Sequence, residues 1–243
     1  MDEPRWISSL QGNHAAVLFL SFLLAAAPAQ AQLGHEIAQK HAARAGDKLA
    51  ALTALRAEGR TFINEEVVPF TFVAERPNRL RVESFTPLRR VVQVYDGAGK
   101  PWISHTELKA DAKDFIANAD FDGPLVNFAV KGYSVDYAGE ELIGGRTAYK
   151  LLLMNKSDNI FSLWVDRENY EVVQRTVYRM FGSQRVAVDT LFQDFREVGS
   201  VLQPHRIETT ASGRTLYIML IDRMEPNPPA IPPETFARPP APP

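Results

Sequence analysis

PFTFVAERPNRLRVESFTPLRRVVQVYDGAGKPWIS, residues Pro69–Ser104, decides how this chain folds. Phe70, Phe72 and Ala74 alternate with Thr71, Val73 and Glu75. Leu80, Val82 and Ser84 then alternate with Arg79, Arg81 and Glu83, and Val91, Gln93 and Tyr95 with Val92 and Val94. A period of two over four to eight residues is the mark of a strand. Arg76-Pro77-Asn78, Thr86-Pro87 and Asp96-Gly97-Ala98-Gly99 separate these runs. Proline fixes its own φ and holds the preceding residue extended, asparagine tolerates the left-handed region, and Asp-Gly is a hairpin signal. The stretch therefore reads as an antiparallel meander of three or four short strands.

The rest of the 243 residues extends this pattern. The N-terminal run AAVLFLSFLLAAA, Ala15–Ala27, is apolar but short of the roughly 20 residues that span a bilayer. Ala29-Gln30-Ala31 follows as a cleavage site, so residues 1–31 read as an export signal with Gln32 as the first mature residue. Asp2 and Glu3 outnumber Arg5 where positive charge is usual. A misplaced start accounts for this; an uncleaved anchor is the other reading. There is no cysteine, so neither disulfides nor lipid attachment at cysteine is open to the chain. The net charge of −2 gives no footprint for nucleic acid.

Residues 35–45 favour helix, with Gly46 as a stop and Asp47 as cap of a further turn to Leu52. Thr53–Ile63 reads as a strand, Thr106–Asn118 as a second helix with Phe115 and Ile116 on its apolar side, and Leu125–Val130 as a helical turn. From Tyr133 onward, seven candidate strands follow: Ser134–Ile143, Thr147–Met154, Ile160–Asp166, Glu171–Tyr178, Arg185–Phe195, Val201–Thr209 and Thr215–Arg223. Such regular spacing predicts one curved sheet or barrel over residues 32–225. Leu216, Ile218 and Leu220 stand opposite Tyr217, Met219 and Ile221, so both faces of that strand are apolar. A sheet with one wetted face alternates instead, so something apolar must cover the second face, and the two helices are the candidates. A filled core is the competing reading. Residues 226–243 hold nine of the seventeen prolines and read as an extended tail that packs outside near Ile231 and Phe236.

Motifs for chemistry fail on spacing. His35-Glu36 opens like a zinc motif, but the next histidine is His41, on a different helix face. Asn118–Gly123 starts like a calcium loop, yet Ala129 stands where the bidentate glutamate belongs. Gly97-Ala98-Gly99-Lys100 runs into Pro101 and lacks the P-loop pattern. No nucleophile motif is present. The expectation is a non-enzyme with neither metal nor cofactor.

Residues 70–103 resemble the periplasmic outer-membrane lipoprotein carriers of the LolA/LolB type. The likeness rests on Phe70 and Phe72 running into Arg76-Pro77-Asn78, a strand with Leu80 and Arg81, and Val94-Tyr95-Asp96-Gly97 leading to Trp102. Further on, Asp122-Gly123-Pro124-Leu125, Val165-Asp166 with Tyr170–Val173, Asp194-Phe195-Arg196 before Leu202-Gln203-Pro204, and Asn227-Pro228-Pro229 keep the order of the lipoprotein-sorting group. The resemblance implies a mainly β chain forming a single incomplete antiparallel barrel, with helices as a lid over an apolar cavity that takes acyl chains. Each buried CH₂ is worth roughly 0.8 kcal/mol, so a chain of about fifteen needs on the order of 12 kcal/mol to cross water, which only an enclosed apolar site offsets. Strand parity near the family motif places Leu80, Val82, Val92, Val94, Trp102, Phe115, Leu151, Leu153 and Leu163 around that cavity. The carriers' lid-closing arginine lies on an early strand, and Arg60 stands in a similar place. The expected protein is a soluble periplasmic monomer that carries lipidated protein or lipid between membrane donor and acceptor proteins. The alternative is a lipid-responsive sensor or scaffold of the same fold.

Overall fold

The computed structural model describes residues 15–86, 89–99, 101–104, 115–116, 119–120, 122–155 and 160–239, with side chains from residue 29 onward except that of Phe181. A helix, α1 (Ala15–Ala51), leads in. It breaks at Gly46, whose φ of 47° and ψ of −132° lie outside the helical region, so the expected stop is a kink and the chain resumes helix to Ala51. A left-handed φ without steric cost is what glycine supplies there. The helix runs through Ala29-Gln30-Ala31 without interruption. No helix among the described residues is long and apolar enough to cross a membrane.

Twelve strands follow among the described residues. The first five are β1 (Ala54–Ile63), β2 (Glu66–Glu75), β3 (Arg79–Phe85), β4 (Arg90–Tyr95) and β5 (Trp102–Ile103). After an intervening segment come β6 (Tyr133–Ile143), β7 (Arg146–Asn155), β8 (Ile160–Asp166), β9 (Val172–Phe181), β10 (Gln184–Val198), β11 (Val201–Ala211) and β12 (Arg214–Pro226). They form one sheet in the order β5-β4-β3-β2-β1-β12-β11-β10-β9-β8-β7-β6. Every neighbouring pair is antiparallel, and β1 joins the early meander to β12. The edges β5 and β6 are not paired with each other, so the sheet is a curved, incomplete barrel.

Tight turns set the register. Gly144 and Gly145, at φ 56° and 84°, link Ile143 to Arg146, the two-residue geometry in which both central residues are left-handed. Asn64 and Glu65 make the same turn between Ile63 and Glu66. At Gly59 the β1–β12 register shifts, and a Cβ there would sit 2.9 Å from a ring carbon of Phe70. Residues directly paired across strands share a face. The hairpins β1–β2, β3–β4, β7–β8, β9–β10 and β11–β12 all turn at one end of the half-barrel, called here the far end. The other turns lie at the near end.

α1 packs on one face, the inner one. Gly34 lets it approach the edge strand β6 closely: a Cβ there would lie 2.7 Å from the Val135 carbonyl oxygen. Ile37 and Ala38 then join Val135, Leu151, Leu153, Leu163 and Val165 in one buried cluster. Leu125 lies in the same cluster, with Phe128 packed against it. The helical turn expected over Leu125–Val130 is instead a run of turns, because Asn127 takes φ 55°. Of the helix expected over Thr106–Asn118, Phe115 and Ile116 are helical and the remainder lies outside the described residues. A 3-10 turn, Pro233–Phe236, closes the tail: Ile231 and Phe236 pack on Val92, Val94, Val73 and Trp102 across the outer face.

Candidate functional site

The inner face is built from three apolar groups. At its β6–β9 side stands the Leu151, Leu153 and Leu163 cluster beneath α1. At the β3–β4 side, Leu80, Tyr95 and Ala74 pack with Phe115 and Ala119, with Val82, Phe72 and Ile116 against them. Between them at the near end, Leu52 from the end of α1 meets Leu55 and Val198.

Register ties these groups into one floor. Phe192 pairs with Ile207, Ile207 with Met219, Met219 with Thr61, and Thr61 with Val68, giving a row across β10, β11, β12, β1 and β2. Phe192, Ile207 and Met219 are half-buried, whereas Val68 is buried. A second row runs Leu163, Arg175, Thr190, Thr209 and Tyr217. A third carries Val177, Val188 and Ala211. The floor is thus apolar with one polar row through it. In that row the Thr190 and Thr209 hydroxyls are 3.3 Å apart. The Arg175 guanidinium lies 5.4 Å from the Phe161 ring centre, and burial holds its pKa below the usual arginine range, with Tyr133 and Tyr217 drawing it back up.

Two polar clasps hold the covering elements. Arg76, in the β2–β3 turn, donates from Nε to the Leu52 carbonyl at 2.9 Å and from Nη2 to the Leu49 carbonyl at 2.8 Å. Its Nη1 donates to Asp122 at 2.9 Å, so one guanidinium grips both the end of α1 and the segment after Ala119. A cation at a helix C-terminus also suits the helix dipole. The second clasp lies at the β8–β9 turn. His41 Nδ1 donates to the Tyr170 carbonyl at 2.8 Å, and Arg44 pairs with Glu171 at 2.7 Å. Burial, with Arg44 beside it, pushes His41 down to about 4. Burial raises Glu171 to about 7 against the pull of Arg44, and Asp166 adds to the rise.

The expected lining divides between the two faces. Leu80, Val82, Phe115, Leu151, Leu153 and Leu163 are on the inner face. Val92, Val94 and Trp102 are on the outer face, covered by the tail. The reason is parity: Leu80 pairs with Tyr95 and Val82 with Gln93, so the valines one residue on point the other way. Arg60 is a second correction. It pairs with Leu220 and Pro69 on the outer face and makes an exposed ion pair with Asp222. The arginine that grips the cover is Arg76. The half-buried floor residues Phe192, Ile207 and Met219 escaped the sequence reading. Their signal was the two-faced apolarity of the strands, and only the register says which face each residue takes. A cleft of about 350 Å³ under the tail, lined by Arg81, Glu83 and Glu234 among others, lies on the outer face. No group of three or more metal-ligating side chains stands together among the described residues.

An open antiparallel half-barrel, with a helix lying on its inner face, is the fold of the LolA-like lipoprotein-sorting proteins. The chain is similar to a putative outer membrane lipoprotein-sorting protein domain from Vibrio parahaemolyticus, with a TM-score of 0.58 at 12% identity over 84% of this chain and 97% of that one. It is similar to a DUF1329 family protein from Desulfovibrio piger, with a TM-score of 0.59 at 11% identity over 86% and 98%. A LolA superfamily protein from Nitrosomonas europaea gives a TM-score of 0.51 at 14% identity over 79% and 96%. No family model matches the chain, and no curated protein matches it in sequence. At these identities the likeness is one of fold.

Proposed function

We propose that this protein binds acyl chains of lipids or lipoproteins on its inner face and carries them through the periplasm. The observation that supports this most is the floor: Phe192, Ile207 and Met219 stay half-buried in the middle of a face whose two sides are packed. Fully burying an exposed side chain of this kind is worth about 1.5–3 kcal/mol, so covering the half that remains open contributes roughly 1 kcal/mol each. The proposed lining is Phe192, Ile207 and Met219 together with Val82, Phe115 and the rims of the leucine clusters at Leu80, Leu151, Leu153 and Leu163. The row with Arg175, Thr190, Thr209 and Tyr217 offers a polar head group a place beside the chain. The role is a carrier rather than an enzyme, acting alone and handing its ligand between membrane proteins.

The test is native mass spectrometry of the purified protein, before and after delipidation and addition of a palmitoylated lipopeptide. The proposal expects co-purified lipid or a one-to-one adduct. A protein that carries no lipid and takes none up at micromolar lipopeptide overturns it. Emission from Trp102 is not a reporter of this event, since that indole lies on the outer face.

A further inference from the structure

We propose that the far end of the half-barrel docks on an anionic phospholipid bilayer. The inference goes beyond acyl-chain uptake and does not depend on it. Among the described residues, thirteen large apolar side chains stand exposed, and ten of them lie at this one end. They are spread over every hairpin there. Val67 flanks the β1–β2 turn, Phe85 ends β3, and Met154 and Ile160 flank the β7–β8 connection. Met180 stands near the end of β9 and Leu216 near the start of β12. At the near end, by contrast, Leu142 and Leu202 are the exposed large apolar side chains among the described residues. Scattered single exposures need no explanation, but a ring of them confined to one rim marks an interaction surface.

Charge selects the partner. The same hairpins carry Arg89 and Arg90 at β3–β4, Arg185 at β9–β10 and Arg214 at β11–β12, all exposed, with Arg90 also paired to Glu83. The Arg185 guanidinium lies 4.3 Å from the Tyr178 ring centre, so an apolar surface and a cation are presented together. Exposed acids on the described part of the rim are Glu65 and Glu66 at the β1–β2 hairpin and Asp136, opposite Leu152 on β6. Apolar side chains that can enter the acyl boundary, interleaved with arginines that meet lipid phosphates, fit an anionic bilayer surface. A protein partner would have to match a rim made of five separate hairpins. A fluid lipid surface matches it without a fixed shape.

The chain has no cysteine, so single-cysteine labelling reports one site at a time. Met180→Cys, at 64% exposure, and Leu142→Cys, at 72%, place an environment-sensitive dye at the far and near ends of the full chain. With phosphatidylglycerol vesicles, the dye at 180 is expected to shift to the blue and be quenched by spin-labelled lipid, while the dye at 142 does not respond. Arg185→Gln and Arg214→Gln are each expected to weaken the response about fivefold. An apolar N-terminal segment that bound vesicles by itself would move neither dye in this end-specific way. Equal responses at 142 and 180, or no response at 180, overturn the proposal. So does an equal response to purely phosphatidylcholine vesicles. A shift at 180 that grows with protein concentration without vesicles assigns the rim to self-association instead and also overturns it.

Discussion

Replacing Arg76 by alanine should loosen the whole cover of the inner face. The residue makes charge-assisted bonds to two carbonyls at the end of α1 and to the Asp122 carboxylate. Hydrogen bonds to charged groups contribute about 1.5–3 kcal/mol when well buried and about 1 kcal/mol in ordinary settings. The ion pair with Asp122 is roughly a quarter exposed on each side, and after truncation water can reach the freed carboxylate and carbonyls. A loss of about 2–4 kcal/mol is therefore expected rather than the sum of three buried bonds. For a chain of this size that corresponds to a fall in Tm of roughly 5–15 °C. Arg76→Lys keeps the charge but cannot hold three acceptors in one planar fork, so it should fall between alanine and wild type. Scanning calorimetry gives the Tm, and amide exchange shows where the structure opens. Faster exchange should appear at Leu49–Leu52, ahead of any change in β7 and β8. A Tm within about 2 °C of wild type, which is below the smallest loss worked out above, would refute the reasoning. Equal exchange gains in α1 and in β7 would refute the assignment of Arg76 as a local grip.

Phe236→Ala should free the tail from Val92 and Val94, cost about 3–5 kcal/mol, and move Trp102 emission to the red, read by fluorescence and urea titration. Gly59→Ala should cost about 3 kcal/mol or more, since the new methyl runs into the Leu220 carbonyl oxygen as well as the Phe70 ring; an unchanged urea midpoint would contradict this. The His41–Glu171 clasp gives a pH signature. His41 is held down to about 4, so its contribution is present above its ordinary value near 6.5 and fades as pH falls toward 4. Glu171 is raised to about 7, so its contribution is full below about 4.5 and is lost as pH rises toward 7. The two slopes oppose each other between pH 4.5 and 6.5. Glu171→Gln removes one, so this variant should gain stability over that range more steeply than wild type when urea midpoints are compared.

The sequence was most legible where turn chemistry and alternation agreed. The alternating runs Ser134–Ile143 and Thr147–Met154 meet in the β6–β7 hairpin at Gly144-Gly145, and Gly46 announced the break in α1. Legibility failed at β4, where Val91, Val92 and Val94 put apolar side chains on both faces. Alternation carries no information on a strand whose outer face is also covered, here by Phe236 arriving from the far end of the chain. The same physics hid the floor. Ile207 and Met219 meet only because β11 and β12 pair with one register shift between Thr209 and Thr210. Arg76 was read for its turn with Pro77 and not for its reach, since two of the acceptors it grips are backbone carbonyls that no side-chain pattern records.

The central claim is that the middle of the inner face receives an acyl chain. Ile207→Trp places an indole there, at a half-buried position away from the packed clusters. Titration of the delipidated protein with a palmitoylated lipopeptide should move its emission to the blue and saturate at micromolar ligand. Met219→Glu in the same background should abolish that response by setting a charge against the chain, while leaving the far-UV circular dichroism unchanged. An indole at 207 that ignores the lipopeptide while the protein stays folded would contradict the account.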